Sequence, residues 1–177
     1  MEQTSKLSQE TIRLRAPEPE DLEVMLSFEN EAELWELGTA TGPYSRYQMK
    51  RYIAENQNDV FVDGQLRLMI VCNTGEVGGM IDIFSFDARH SRAEVGLVVR
   101  KDLRGKGIGG MALTLLESHC FGLLGLHQLY AYIPVGNTAS RKLFAAAGYT
   151  EYGVLKDWIR VGNSFQDVCL CQKINQL

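Results

Sequence analysis

The stretch Arg104-Gly105-Lys106-Gly107-Ile108-Gly109-Gly110 places four glycines and two cations in seven residues, directly before an apolar segment of helical character. The first amides of a helix lack intrahelical partners and point outward, so they can act as anion ligands. Residues without a Cβ let a pyrophosphate reach the backbone, and the helix dipole adds about half a positive charge at that end. Arg100 and Lys101 extend the cationic run, opposed within it only by Asp102. On a chain whose net charge is −4, this local excess of positive charge points to a phosphate-bearing ligand.

Three phosphate motifs compete for these residues. Gly105, Gly107 and Gly110 satisfy G-x-G-x-x-G, but a dinucleotide fold needs an acidic residue about 20 positions on to hold the ribose, and the chain there reads Leu129-Tyr130-Ala131-Tyr132. A Walker A loop needs Lys and then Ser or Thr after its last glycine, and neither is present. The spacing also fits Arg-x-x-Gly-x-Gly, here Arg104, Gly107 and Gly109. A glycine-rich turn with no ligand is the remaining reading.

The elements that must position this loop follow from the hydrophobic pattern. Residues 11–15 alternate as a short strand, and Pro17-Glu18-Pro19-Glu20-Asp21 supplies a proline and acidic start for a helix carrying Leu22, Met25 and Leu26. Ser45-Arg46-Tyr47-Gln48 is a capping box that predicts a second helix. Residues 66–72, 77–86 and 92–99 read as three antiparallel strands joined by short turns. After the glycine-rich turn comes an apolar helix of about four turns, closed near Gly122 and Gly125. A strand at 127–134, a helix at 137–147 closed by Gly148, and a hairpin of 149–159 with 164–171 around Gly162-Asn163 complete the chain. The predicted fold class is α/β (α+β): a mixed, mostly antiparallel sheet flanked by helices.

In that order of motifs the chain resembles the GNAT superfamily of acyl-coenzyme A N-acyltransferases, over nearly its whole length. Ile12-Arg13-Leu14-Arg15 with Pro19-Glu20-Asp21-Leu22 looks like the opening of the ribosomal-protein (RimJ/RimL-type) and polyamine (SpeG-type) acetyltransferase branch. So do Ala93-Glu94-Val95-Gly96, Asn137 with Ser140, Gly148-Tyr149, and the closing stretch from Asp157 to Asp167. The resemblance implies one N-acetyltransferase domain over residues 1–177, with acetyl-CoA as acyl donor and no metal. It implies a sheet splayed between the strand before the glycine motif and the strand after its helix. Val98 and Val99 would then be backbone partners of the pantetheine arm, residues 104–110 would surround the pyrophosphate, and Asn137 would lie near the arm.

Acyl transfer to an amine needs a neutral nucleophile, a stabilised oxyanion and a proton for the thiolate. The resemblance assigns the oxyanion to a backbone N–H near Val99. Glu94 and Asp82 are the candidate bases, on strands leading toward the acceptor side; exposed carboxylates or ion pairs with neighbours such as Arg92 are the plain alternative. For the acid, the family's helix tyrosine is replaced by Phe144, which has no proton to give. Ser140 matches the serine of RimL-like members and is the candidate at the thiolate, against a helix serine bonded to its own backbone. Tyr132, Tyr149 and Tyr152 are further phenols. A covalent route through Cys120 and His119 is disfavoured, because adjacent helix residues point apart and no orienting group follows.

The remaining composition narrows the partners. At 177 residues with 45% hydrophobic and 23% charged residues, one domain is the default. Eighteen Lys and Arg against 22 Asp and Glu argue against a nucleic-acid module, and the absence of an unbroken apolar segment or a leader pattern predicts a cytoplasmic protein without membrane attachment. Cys72, Cys120, Cys169 and Cys171 lack zinc spacing and read as buried small hydrophobes. Glu29, Glu31, Glu33 and Glu36 with Trp35 make the region before the sheet acidic and attractive to a cationic amine, although residues 38–43 add no acids. The acidic region favours a polyamine-like small molecule as acceptor, the resemblance to RimJ/RimL-type enzymes implies a protein N-terminus as the other choice, and a homo-oligomer is allowed. The rival readings are a coenzyme A-binding sensor without turnover and a nucleotide-binding domain.

Overall fold

The computed structural model describes residues 11–31 and 42–176. Strand β1 (Ile12–Arg15) leads through a 3₁₀ turn at Pro19–Asp21 into α1 (Leu22–Glu29). The buried Asp21 carboxylate accepts from the Glu18 N–H and from the Arg15 guanidinium at 2.6 Å, tying the helix start back to the strand. Helix α2 (Arg46–Glu55) begins as the capping box predicts, with Ser45 and Gln48 satisfying each other's backbone donors. A short helix α3 (Val60–Asp63), which the sequence pattern did not signal, precedes β2 (Leu66–Cys72). Then come β3 (Val77–Asp87), β4 (Arg92–Val99), α4 (Ile108–Glu117) with a π-helical extension at Ser118–Leu123, β5 (Gln128–Pro134), α5 (Thr138–Ala146), β6 (Thr150–Val161) and β7 (Ser164–Ile174).

The seven strands form one sheet in the order β1-β2-β3-β4-β5-β7-β6. Every neighbouring pair is antiparallel except β4 and β5, which run parallel because α4 carries the chain across between them. Side chains alternate across the sheet and sort into two cores. One face, with Ile70, Ile81, Ala93, Leu129, Ala131 and Cys169, packs on α4 and α5; the other, with Met69, Val71 and Met80, packs on Met25, Phe28 and Met49 of α1 and α2. All four cysteines are free and buried, as the composition predicted.

The β4–β5 contact is short. Only Arg92, Ala93 and Glu94 pair with Gln128, Leu129 and Tyr130, and beyond that point the two strands part. The sheet is therefore split at its centre, while β4 stays in register with β3 out to the Gly79–Val99 pair. Gly79 shows how close β3 and β4 lie there: a Cβ on it would sit 2.2 Å from Val98 O and 3.1 Å from Val99 Cα. Both obstacles are backbone, so Gly79→Ala must push the strands apart beside the split. The expected loss is about 2 kcal/mol or more, read as a lowered urea midpoint with unchanged slope.

Candidate active site

A cleft of about 300 Å³ occupies the split and reaches both faces of the sheet. On the α1 side it is lined by Phe28, Glu29, Arg67, Asp82, Glu94 and Tyr132; on the α5 side by Leu97, Asn137, Ser140 and Phe144. Along β4 the backbone groups alternate in direction. The Arg100 N–H donates to Gly78 O at 2.8 Å, so Val98 addresses β3 while Leu97 and Val99 turn theirs to the open edge. Of the two valines singled out from the sequence, Val98 lines the cleft, while Val99 lies just beyond its lining with its backbone turned to the open edge; Leu97 is the second backbone position, which alternation from the Arg100 bond identifies.

The glycine loop forms the N-terminus of α4. Gly107 is its N-cap at φ 82° and has no side chain to cap it, so the amides of Ile108, Gly109 and Gly110 lack a side-chain partner. Gly105, at φ 77°, and Gly107 each point their missing Cβ into open space. Gly109 differs: a Cβ there would meet Leu143 at 3.0 Å, so this glycine serves the close packing of α4 on α5. The Ile108 side chain is buried in the core. The loop therefore fits a pyrophosphate, with three uncapped amides and a surface that no side chain obstructs.

The cationic patch is smaller than the sequence suggested. Arg100 is engaged by Asp102 at 2.7 Å and Glu76 at 3.4 Å, and Lys101 reaches Glu31 at 2.5 Å across from α1. Folding thus brings in two acids distant in sequence, and the cations nearest the helix start are Arg104 and Lys106. The Arg104 Nε donates to Val99 O at 2.9 Å, which folds the loop back over the open edge of β4. Asn137 caps α5, its Oδ1 accepting from the Ser140 N–H at 3.0 Å. That bond uses its carbonyl oxygen and none of its amide N–H groups, and Asn137 lines the cleft. The Ser140 hydroxyl makes no hydrogen bond to another described residue.

The two candidate bases separate clearly. Asp82 is bound by Arg67 through its Nε at 3.0 Å and its terminal nitrogen at 2.6 Å, and the same guanidinium holds Glu29 at 2.5 Å. Burial opposes the Arg67 charge, but the two carboxylates outweigh it and hold the pKa above its ordinary value. Asp82 is thus committed to an ion pair, with Arg67 as the partner. Glu94 stands apart, since Arg92 turns to Asp87 at 3.1 Å. Burial pushes the Glu94 carboxyl up to about 7, against a pull downward from the Ser85 hydroxyl. Ser85 is held at φ 49° where β3 slips register between Phe84 and Asp87, which aims it at Glu94. A carboxyl poised near neutrality in a cleft has the property of a general base.

Arg67 and Ser85 are the site residues that the sequence reading missed. A single charge inside the apolar run Leu66-Arg67-Leu68-Met69-Ile70 was the available signal for the first, because a buried guanidinium demands acidic partners. Ser85 gave none, since its role depends on a bulge. The covalent alternative is closed by burial: Cys120 is fully buried and its thiol is pushed up to about 12 by desolvation and by Glu117. Phe144 is 3% exposed and packs edge-on to Tyr149 at 4.9 Å. Glu33, Trp35, Glu36 and residues 38–41 lie outside the described residues. No helix among the described residues is long and apolar enough to cross a membrane.

The site thus combines a central sheet split around a cleft, an uncapped helix terminus after the strand that lines it, and a carboxyl pushed toward neutrality within it. A family model described as an acetyltransferase (GNAT) domain matches residues 11–150, and the chain belongs to that family. An uncharacterized N-acetyltransferase, p20, of Bacillus licheniformis is 28% identical over 161 residues, covering 90% of each chain. The spermidine N(1)-acetyltransferase of Escherichia coli is 22% identical over 180 residues, covering 93% of this chain and 88% of that one. In fold, the chain matches the Vibrio cholerae spermidine N-acetyltransferase crystallised with CoA and spermine at a TM-score of 0.81, with 20% identity over 92% of this chain and 95% of that one.

Proposed function

We propose that this N-acetyltransferase moves the acetyl group of acetyl-coenzyme A directly onto a primary amine of a small polyamine-like cation, within one domain spanning residues 1–177. The observation that carries this reading is the composition of the cleft on its α1 side, where the lining among the described residues holds three carboxyl groups, Glu29, Asp82 and Glu94, and one guanidinium, Arg67. The surplus of negative charge attracts an ammonium group and raises its concentration at the gap. Two spermidine-acetylating proteins among the similar ones support the same acceptor class.

In this reading the donor arm enters the gap from the α5 side, with its pyrophosphate on the amides of residues 108–110 and its amides beside Leu97, Val99 and Asn137. Glu94 takes a proton from the bound ammonium group, and the freed amine attacks the thioester carbon. The oxyanion is stabilised by the Val99 N–H on the open edge of β4. We include self-association through the β6–β7 hairpin, where Tyr152, Trp158 and Phe165 are exposed.

Thiol release from acetyl-coenzyme A, followed with polyamines, aminoglycosides and short basic peptides alongside calorimetry of coenzyme binding, tests the reading. Polyamines are expected to stimulate release, and sedimentation is expected to give a mass above that of one chain. Stimulation by peptides alone would move the acceptor to a protein N-terminal amine, whose lower pKa of about 7.7–8.0 makes it easier to deprotonate. The buried Phe144 favours one second reading, a coenzyme-binding module without turnover; tight coenzyme binding with no stimulated release by any amine would select it.

A further inference from the structure

With Phe144 at the helix position, the departing thiolate still needs a proton. Its donor must present a hydroxyl to the cleft, leave that hydroxyl unbonded in the free protein, and be acidic enough to yield. Tyr149 is buried, and desolvation together with Glu117 pushes its phenol far up. Tyr152 is exposed away from the cleft, and Tyr130 does not line it. Ser140 lines the cleft, but an alcohol is a much weaker acid than a phenol.

Tyr132 brings a phenol to the cleft lining. It follows Tyr130, the last β5 residue paired with β4, by two positions, so it stands on the same face at the point where the strands part. Its ring is clamped between Tyr130, with centroids 5.7 Å apart at 75°, and Trp158, at 5.9 Å and 35°. Trp158 is set in place by the irregularity in β6 between Leu155 and Ile159, where Asp157 adopts φ 52° and its N–H donates to Asp167 Oδ1 at 3.0 Å. The Tyr132 hydroxyl makes no hydrogen bond to another described residue. The ring is held and the hydroxyl is left for a ligand.

From this placement we infer that Tyr132 is a catalytic residue, the acid that protonates the coenzyme A thiolate, with Trp158 as its positioning residue; the inference rests on the acetyl-transfer reading above. As the new C–N bond completes, the C–S bond breaks and its electron pair goes to sulfur, which takes the phenolic proton. The ammonium proton that Glu94 removes before attack passes to solvent; Glu94 then takes the second proton from the nitrogen after attack, and this one returns through cleft water to the Tyr132 oxygen. The nitrogen thus loses two protons, one to solvent and one by way of Tyr132 to sulfur, so the products are the acetylated amine, the free thiol and one released proton.

The test titrates the thiol of bound coenzyme A by its thiolate absorbance in wild type, Tyr132→Phe and Ser140→Ala, and measures kcat with acetyl-coenzyme A. A phenol that donates to the sulfur stabilises the thiolate, so Tyr132→Phe is expected to raise the bound thiol's pKa by about one unit and to lower kcat about 10²-fold with little change in KM. Ser140→Ala is expected to leave the titration in place, and Trp158→Ala to give a partial shift. The kcat loss should shrink with a thioester whose thiol is more acidic. An unchanged thiol titration in Tyr132→Phe, with coenzyme still bound, would overturn the role of Tyr132 and leave the acetyltransferase reading standing. Failure of the wild type to bind coenzyme A would overturn both.

Discussion

Glu94→Gln is expected to lower kcat/KM for the amine about 10²–10³-fold at pH 8 while leaving coenzyme affinity within a factor of two. The carboxyl acts as a base, so it works only when ionised, and its pKa is pushed up to about 7 by burial. The wild-type rate should therefore rise through pH 7 and level off above it, and the variant should lose that limb. The same shift makes a stability prediction of the opposite sense. A carboxyl whose folded pKa lies above its unfolded value binds more protons in the native state between the two, so stability falls as pH rises through that interval. The penalty is absent below the ordinary value of 4.5 and complete above about 7. Glutamine mimics the protonated form, so the variant should melt higher than wild type at pH 8 and at the same temperature near pH 4. Equal activity of the two proteins at pH 8 would remove Glu94 from the chemistry.

Gly107→Val should weaken coenzyme A binding at least about 30-fold, or about 2 kcal/mol. Two effects act together. The residue sits at φ 82°, which a β-branched side chain resists, and its Cβ would project into open space at the helix N-cap, where it would add bulk to the surface a pyrophosphate must approach. Gly153→Ala is the control, since that glycine also faces open space but lacks the positive φ. Calorimetry on both variants separates the loop from a general effect of losing a glycine; equal affinities would mean that the pyrophosphate does not approach Gly107.

Much of this architecture can be read from residue order because it depends on local rules. The box of Ser45 and Gln48, the turn at Gly162-Asn163 and the strand periods of β2 to β4 involve neighbours along the chain. The glycine loop was legible for the same reason: an uncapped helix start is a property of seven consecutive residues. What stayed hidden depends on long-range register. Lys101 meeting Glu31, Arg100 meeting Glu76 and Arg67 meeting both Glu29 and Asp82 join residues 15 to 70 positions apart, and no local pattern specifies them. Gly109 keeps its amide in the loop, but the close packing that excludes a Cβ there is a helix contact with Leu143, 34 positions on. The uncommitted state of Glu94 follows only once Arg92 is seen to choose Asp87.

The split sheet also bears on aggregation. An unpaired strand edge is a template on which another chain can add, and this fold carries two such edges at its centre, on β4 beyond Glu94 and on β5 beyond Tyr130. They are kept from other chains by their setting. Helices α4 and α5 close one face over them, with Gly109 drawn tight against Leu143 and Leu97, while α1 and α2 cover the neighbouring strands on the other. A thin flexible chain can enter a gap of about 300 Å³, whereas a folded strand with its side chains cannot. The protein thus keeps reactive backbone exposed to small molecules and sheltered from its own kind, and variants that loosen α5 should clump before they unfold.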